Sequence, residues 1–374
     1  MIRLLESLKH ADFFSSAPPR LTIELPHNID APTQRYLENF KWPPHADQNS
    51  GNLLAIHHRI PQHSLTAEEN SIRFLEAFWP ADPFTSHVLV LSPQAELSLN
   101  FFHYLKYTML EYKYASIQNV HETLLGISLD LPSTYLNDST TFTAPSTNDT
   151  GVSPFLWQAP SSNAALYFGD KWVELHDFVA QSLSSQHTLP TPTTLSEKLV
   201  SKTYPSWLEH VLKLARARGY FMVYPDFEGP DALATLHNEL YQPPEEFAEP
   251  EEQPTEGELT ADPAHHLSLK HKEAPLITKT LLNILPFGGN LPKILEMPLL
   301  SWDGEIISQG GIEETAASYR KSFRLEIGGC DVSARDKPRV ALAAGDLFCL
   351  LDAKAEKDED VAEGTAVSSE DIVV

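Results

Sequence analysis

Cysteine is almost missing from this chain: only Cys330 and Cys349 occur, both late. Two cysteines exclude a disulfide framework and a cysteine-based zinc site. Basic charge is also scarce. Lys and Arg total 27 against 51 Asp and Glu, a formal charge of −24. Phosphate-backbone binding needs clustered cations, so a nucleic-acid partner is excluded as the default. Glycine is sparse at 16 beside 29 prolines, which predicts many punctuated loops. No apolar run reaches the 18 or so residues a membrane span needs, and no signal-type apolar core follows Met1. Several catalytic signatures are lacking as well: G-x-S-x-G, G-x-G-x-x-G, the P-loop and H-E-x-x-H.

What is present is enough apolar material, 42% of the chain, to build a sizeable core. The chain opens inside an amphipathic pattern, with Leu4, Leu5 and Leu8 on one helical face. We therefore expect the first strand of the domain to lie upstream of Met1. Strand-like runs at 21–25 (LTIEL), 53–57 (LLAIH), 87–91 (HVLVL), 164–168 and 220–224 (YFMVY) alternate with helical patterns at 33–40, from Thr66 to Trp79, and at 97–114, 171–182 and 206–218. This alternation predicts an α/β fold, a mostly parallel sheet flanked by helices. We place the folded domain at 1–242. Residues 243–262 hold eight acidic side chains, four prolines and no basic residue. That composition predicts a disordered linker over 243–274. Residues 275–351 are weakly patterned, and 352–374 read as an acidic disordered tail.

Three segments carry candidate chemistry. Open α/β sheets bind ligands at the carboxyl ends of their strands. The polar break after HVLVL, Ser92-Pro93-Gln94-Ala95-Glu96, sits at such a place, and Glu96 is its one carboxylate. The plainer reading is a first-turn Glu favoured by a helix dipole. The second segment, FLWQAPSSNAALYF, sets Trp157 beside Ser162 and Asn163. An aromatic face and small polar groups suit a sugar, although a buried tryptophan ahead of a strand fits equally. In the third, Glu209 opens a helix and His237 follows a strand, a pair suited to base and phosphate or metal contacts. Asp170 opens another helix. Two N-x-S/T sequons, at Asn137 and Asn148, share one polar loop.

Six segments together resemble the glycosyltransferase family 2-like proteins of fungi: LLESLKHADFF, HRIPQHSLTAEENSIRFLEAFWPADP, HVLVLSPQAELSLNFFHYLKYTMLEY, GISLDLPSTYLND, FLWQAPSSNAALYFGDKWVELHDF and SEKLVSKTYPSWLEHVLKLARARGYFMVYPDF. The resemblance spans roughly residues 2–242. It implies a GT-A-like (Rossmann-like) fold whose first strand is missing here. It also implies transfer of a sugar from a nucleotide-sugar donor to a glycan or other hydroxyl acceptor, and a Golgi or ER lumenal setting. Such enzymes carry a DxD motif that holds Mn²⁺ or Mg²⁺ on the donor diphosphate; at the matching place only Glu96 is acidic. By position the resemblance implies Ser92, Gln94, Glu96 and His237 at the donor, with Glu96 and His237 toward a metal. It implies Glu209 as the base, with Asp170 in reserve. Trp157, Ser162 and Asn163 fall on the acceptor side. The eroded DxD leaves a second expectation open, a non-catalytic carbohydrate-binding or interaction protein on the same scaffold.

Overall fold

The computed structural model describes residues 1–14, 18–26, 29–44, 53–58, 71–115, 122–136, 140–145, 153–186, 206–227, 231–237, 275–333, 335 and 337–349. The expected helix start at Thr66, both sequons, the acidic linker and the acidic tail lie outside these residues.

In chain order the elements are α1 (Ile2–His10), β1 (Leu21–Leu25), α2 (Ala31–Asn39), β2 (Leu54–His58), β3 (Val88–Leu91), β4 (Ala95–Leu97), α3 (Phe101–Met109), β5 (Leu124–Ser128), β6 (Phe155–Trp157), β7 (Ala164–Tyr167), α4 (Gly169–Gln186), α5 (Ser206–Arg218), β8 (Phe221–Tyr224), β9 (Ala234–Leu236), β10 (Leu299–Leu300) and α6 (Gln309–Glu326). Local chemistry sets the helix ends. The Asp30 carboxylate accepts from Thr33 N–H at 3.0 Å to cap α2, and Ser308 Oγ accepts from Gly311 N–H at 3.1 Å to cap α6. Gly219, at φ 69°, takes the left-handed residue that ends α5 and turns the chain into β8.

Six strands form the central sheet in the order β10-β6-β8-β5-β7-β3. It is mixed. β5–β8 and β10–β6 are parallel, whereas β3–β7, β5–β7 and β6–β8 are antiparallel. This corrects the mostly parallel sheet expected from strand–helix alternation. The reversal falls between β5 and β6, where none of the described residues is helical, whereas a parallel crossover usually runs through a helix. β7 then runs in the direction of β6 and is reached by the non-helical segment 158–163, held by Tyr224 and Tyr167 hydroxyls donating to the carbonyls of Ala159 and Ser161 at 3.0 and 2.6 Å. Where β5 meets β7 the backbones crowd: a Cβ on Gly126 would lie 2.0 Å from Leu166 O, so only glycine fits.

Side chains alternate across the sheet into two cores. Leu124, Ile127, Leu166 and Val223 pack with α1, α3, β1 and β4 on one face. Leu125, Trp157, Tyr167, Met222 and Tyr224 pack with α4, α5 and the end of α6 on the other. The molecule is thus layered α/β, with smaller two-stranded ladders β1–β2 and β4–β9 on the first face.

The weakly patterned C-terminal region is part of this unit. β10 extends the sheet beside β6, and the Trp157 indole N–H donates to Ser301 O at 2.8 Å. Ser98 and Asn100 side chains donate to the carbonyls of Ile277 and Lys279 at 2.7 and 2.6 Å. Cys330 and Cys349 form a disulfide. Among the described residues no helix is long and apolar enough to cross a membrane.

Candidate functional site

Strands β3, β5 and β8 run in the same direction, because β5 is parallel to β8 and both β3 and β5 are antiparallel to β7. Their carboxyl ends therefore share one edge, and each is followed by an acid: Glu96, Asp130 and Asp226. Short turns fix the first of these. Ser92 N–H donates to Asn163 O at 2.7 Å, and Ala95 N–H to Ser92 O at 3.0 Å. Gln94 N–H donates to Ser92 Oγ at 3.3 Å. β4 then pairs antiparallel with β9, Glu96 opposite Thr235. His237 N–H closes the ladder on Gln94 O at 3.1 Å.

This ladder brings Glu96 and His237 together. Glu96 Oε2 and His237 Nε2 are 2.6 Å apart, across 141 residues of sequence. The imidazole is nearly covered, at 9% side-chain exposure, while the carboxylate keeps 31% and so faces solvent.

Beside the dyad, at the end of β5, lies a second polar cluster. Asp130 Oδ1 accepts from Ser128 Oγ and Ser161 Oγ, both at 3.0 Å, and Oδ2 accepts from Asn163 Nδ2 at 2.9 Å. Burial pushes the Asp130 carboxyl above its ordinary range, against the opposing pull of Asn163, Ser128 and Ser161. Burial likewise raises Asp226, offset in part by the backbone N–H groups of Ser153 and Phe227. Asp130, Ser161, Asn163, Trp157, Tyr224 and Leu236 line a small cleft of about 70 Å³ at this edge. Glu96 and His237 do not line this cleft; Leu236, which precedes His237, does, and the Ser92 N–H bond to Asn163 O ties the turn before Glu96 to the cleft's rim.

The expected site residues divide accordingly. Ser92, Gln94, Glu96, His237 and Asn163 converge on this edge. Ser162 lies in the same turn, half-buried. Trp157 reaches the cleft, but its ring is stacked on Phe142 at 4.7 Å and its indole N–H is committed to Ser301. Asp170 lies past the far end of β7 from Asn163. There it pairs with Lys113 at 2.9 Å and Lys171 at 3.2 Å. Burial raises its carboxyl, yet the two lysines outweigh burial and hold it low. Glu209 is buried in the first turn of α5, near Arg216 and Tyr319. Its helix packs on the sheet face opposite to β4. A base must come within hydrogen-bond reach of the proton it takes, and neither Asp170 nor Glu209 lines the cleft.

Sequence reasoning passed over Ser128 and Asp130; Ser161 and Asp226 lay in segments it singled out but received no role of their own. The signal was present in GISLDLP: a Ser-x-Asp directly after a wholly apolar strand, where a sheet places its ligand site. Among the described residues the donors at hand are too few for a metal: no group of three or more His, Cys, Asp or Glu side chains could hold one, and the His237 ring nitrogen nearest Glu96 is taken by that carboxylate.

The fold and its strand-end cleft define a layered α/β protein. Residues 1–188, just over half of the 374, match the family model described as SPBC1E8.03c C-terminal domain, and the chain belongs to that family. The match ends before α5 and β8, although β8 sits between β6 and β5 in the sheet. No curated protein and no solved structure matches the chain.

Proposed function

We propose that this chain is a glycosyltransferase-like protein of GT-A type that binds a nucleotide-sugar at the carboxyl edge of β3, β5 and β8. The observation that carries the reading is the meeting of Glu96 and His237 beside the Asp130–Ser161–Asn163 cluster. A sugar presents hydroxyls, which pair with carboxylate, amide and hydroxyl groups of this kind. The Glu96 carboxylate is the accessible acceptor, and His237 orients it. Asn163 and Ser161 are held in place by Asp130 and offer their remaining capacity to the ligand. No step through a metal is part of this reading, since the donor set is too small. The test is calorimetric titration of the full chain with UDP- and GDP-sugars, with and without Mn²⁺. Saturable binding supports the reading, and no binding to any of them at millimolar concentration rejects it.

The placement of Glu209 and Asp170 favours a second reading, a non-catalytic carbohydrate-binding protein on this scaffold. Nucleotide-sugar hydrolysis separates the two. Turnover above the uncatalysed rate rejects the second reading, and binding without turnover supports it.

A further inference from the structure

The chain's two cysteines stand at the two ends of one structural strap. Cys330 follows α6, its N–H donating to Arg324 O at 2.9 Å, and Cys349 N–H donates to Gly328 O at 2.8 Å. Residues 337–349 between them have little regular structure, with one short turn at Gly345–Leu347. They are nevertheless deeply engaged. Asp346 accepts both terminal nitrogens of Arg218 at 2.6 Å, while Arg218 Nε donates to Glu174 at 2.7 Å. Ala344 N–H donates to Asp177 at 2.7 Å. Phe348 packs on Phe178 and Phe323, ring centroids 5.7 and 5.6 Å apart. Arg218 ends α5 just before the turn into β8, so the strap clamps the corner that leads into the middle of the sheet. A segment without a ladder of its own pays a large ordering entropy, and a bridge across its ends reduces that cost.

We propose that Cys330–Cys349 is a maturation latch: it is formed by exchange with the disulfide form of a dithiol oxidoreductase in an oxidising compartment, and it fastens residues 337–349 over α4 and α5. One cysteine thiolate attacks the oxidoreductase disulfide to give a mixed disulfide. The second thiolate then displaces the oxidoreductase, which leaves as the dithiol. Two electrons and two protons pass from the chain to the oxidoreductase. This assignment stands independently of the ligand at the strand-end cleft. Stable structural bridges of this kind persist where glutathione and thioredoxin do not hold thiols reduced.

The test uses the full chain expressed through an oxidising secretory route. We expect neither cysteine to react with a maleimide before reduction, and a Cys330–Cys349 cross-linked peptide in a non-reducing digest. Trypsin cleavage at Arg339–Val340 should rise at least about tenfold once reductant is added, and Tm should fall by about 5–10 °C. Because wild type is compared with and without reductant, the result does not depend on a Cys330→Ser, Cys349→Ser variant folding. Free thiols in the unreduced protein overturn the proposal. A bridge whose reduction changes neither the cleavage rate nor Tm overturns its role as a latch.

Discussion

Glu96 and His237 meet at 2.6 Å although 141 residues separate them, because β4 and β9 pair antiparallel and set their side chains at one sheet edge. Glu96→Gln keeps the shape and removes the charge. On our account it weakens nucleotide-sugar binding at least about tenfold, the loss of one charge-assisted contact. Its effect on thermal stability stays within about 1 kcal/mol, since Glu96 is partly exposed. Calorimetry and a thermal melt of the same sample check both halves.

Asp130 responds differently to two substitutions. Asp130→Ala leaves Ser128, Ser161 and Asn163 without their shared acceptor and should destabilise the fold by about 2–4 kcal/mol. Asp130→Asn keeps the network, its amide donating to the two serine hydroxyls and its carbonyl accepting from Asn163. The pH dependence has a fixed sign. The folded-state pKa is raised, so the stability Asp130 contributes is full below the ordinary carboxylate pKa and is lost as pH rises through the raised value. Relative to Asp130→Asn, wild type therefore loses ground between acid and neutral pH. Urea midpoints of the two proteins at several pH values measure this.

His210 gives the opposite slope. Burial, with Lys213 nearby, lowers its pKa to about 3. A depressed folded pKa means that its contribution is present above the ordinary value of 6.5 and is lost as pH falls toward 3. Stability should drop by about 1.4 kcal/mol per pH unit below that value from this residue alone. His210→Phe, which keeps an aromatic ring beside Phe178, should flatten the slope in denaturant unfolding.

Arg218 is held by Glu174 and Asp346, with side-chain exposures of 1%, 2% and 7% for the three. Arg218→Ala takes the bidentate partner from the buried Asp346 carboxylate, while Glu174 keeps Tyr220 and Arg339, and should cost about 3–5 kcal/mol. Arg218→Lys should recover less than half of that, because an ammonium cannot serve Asp346 bidentately and Glu174 at once. Chemical unfolding of both variants decides it.

Much of the framework was legible in the chain. Leu4, Leu5 and Leu8 marked α1, the apolar run at 87–91 marked β3, and Gly219 marked the end of α5, since each signal is local. Strand direction was not legible. It depends on the chain reversing between β5 and β6, and on residues 158–163 then crossing back to β7 without a helix, held by Tyr167 and Tyr224 from elsewhere in the sequence. β10 escaped notice because Leu299–Leu300 is a two-residue strand that exists only beside β6. At the site, strand-end reasoning pointed to Glu96 and a separate pattern to His237, and the structure sets these two side chains against each other. Strand-end reasoning passed over Asp130, whose meaning comes from Ser161 and Asn163 folding back onto it. Glu209 and Asp170 looked alike as first-turn acids. The structure puts one in the buried first turn of α5 and the other between two lysines, and no local pattern distinguishes such surroundings.

The most direct measurement is a side-by-side titration of wild type and Glu96→Gln with UDP- and GDP-sugars. The account predicts saturable binding to wild type and at least about tenfold weaker binding to the variant. Equal affinity in the two proteins, or no binding to either, would contradict it.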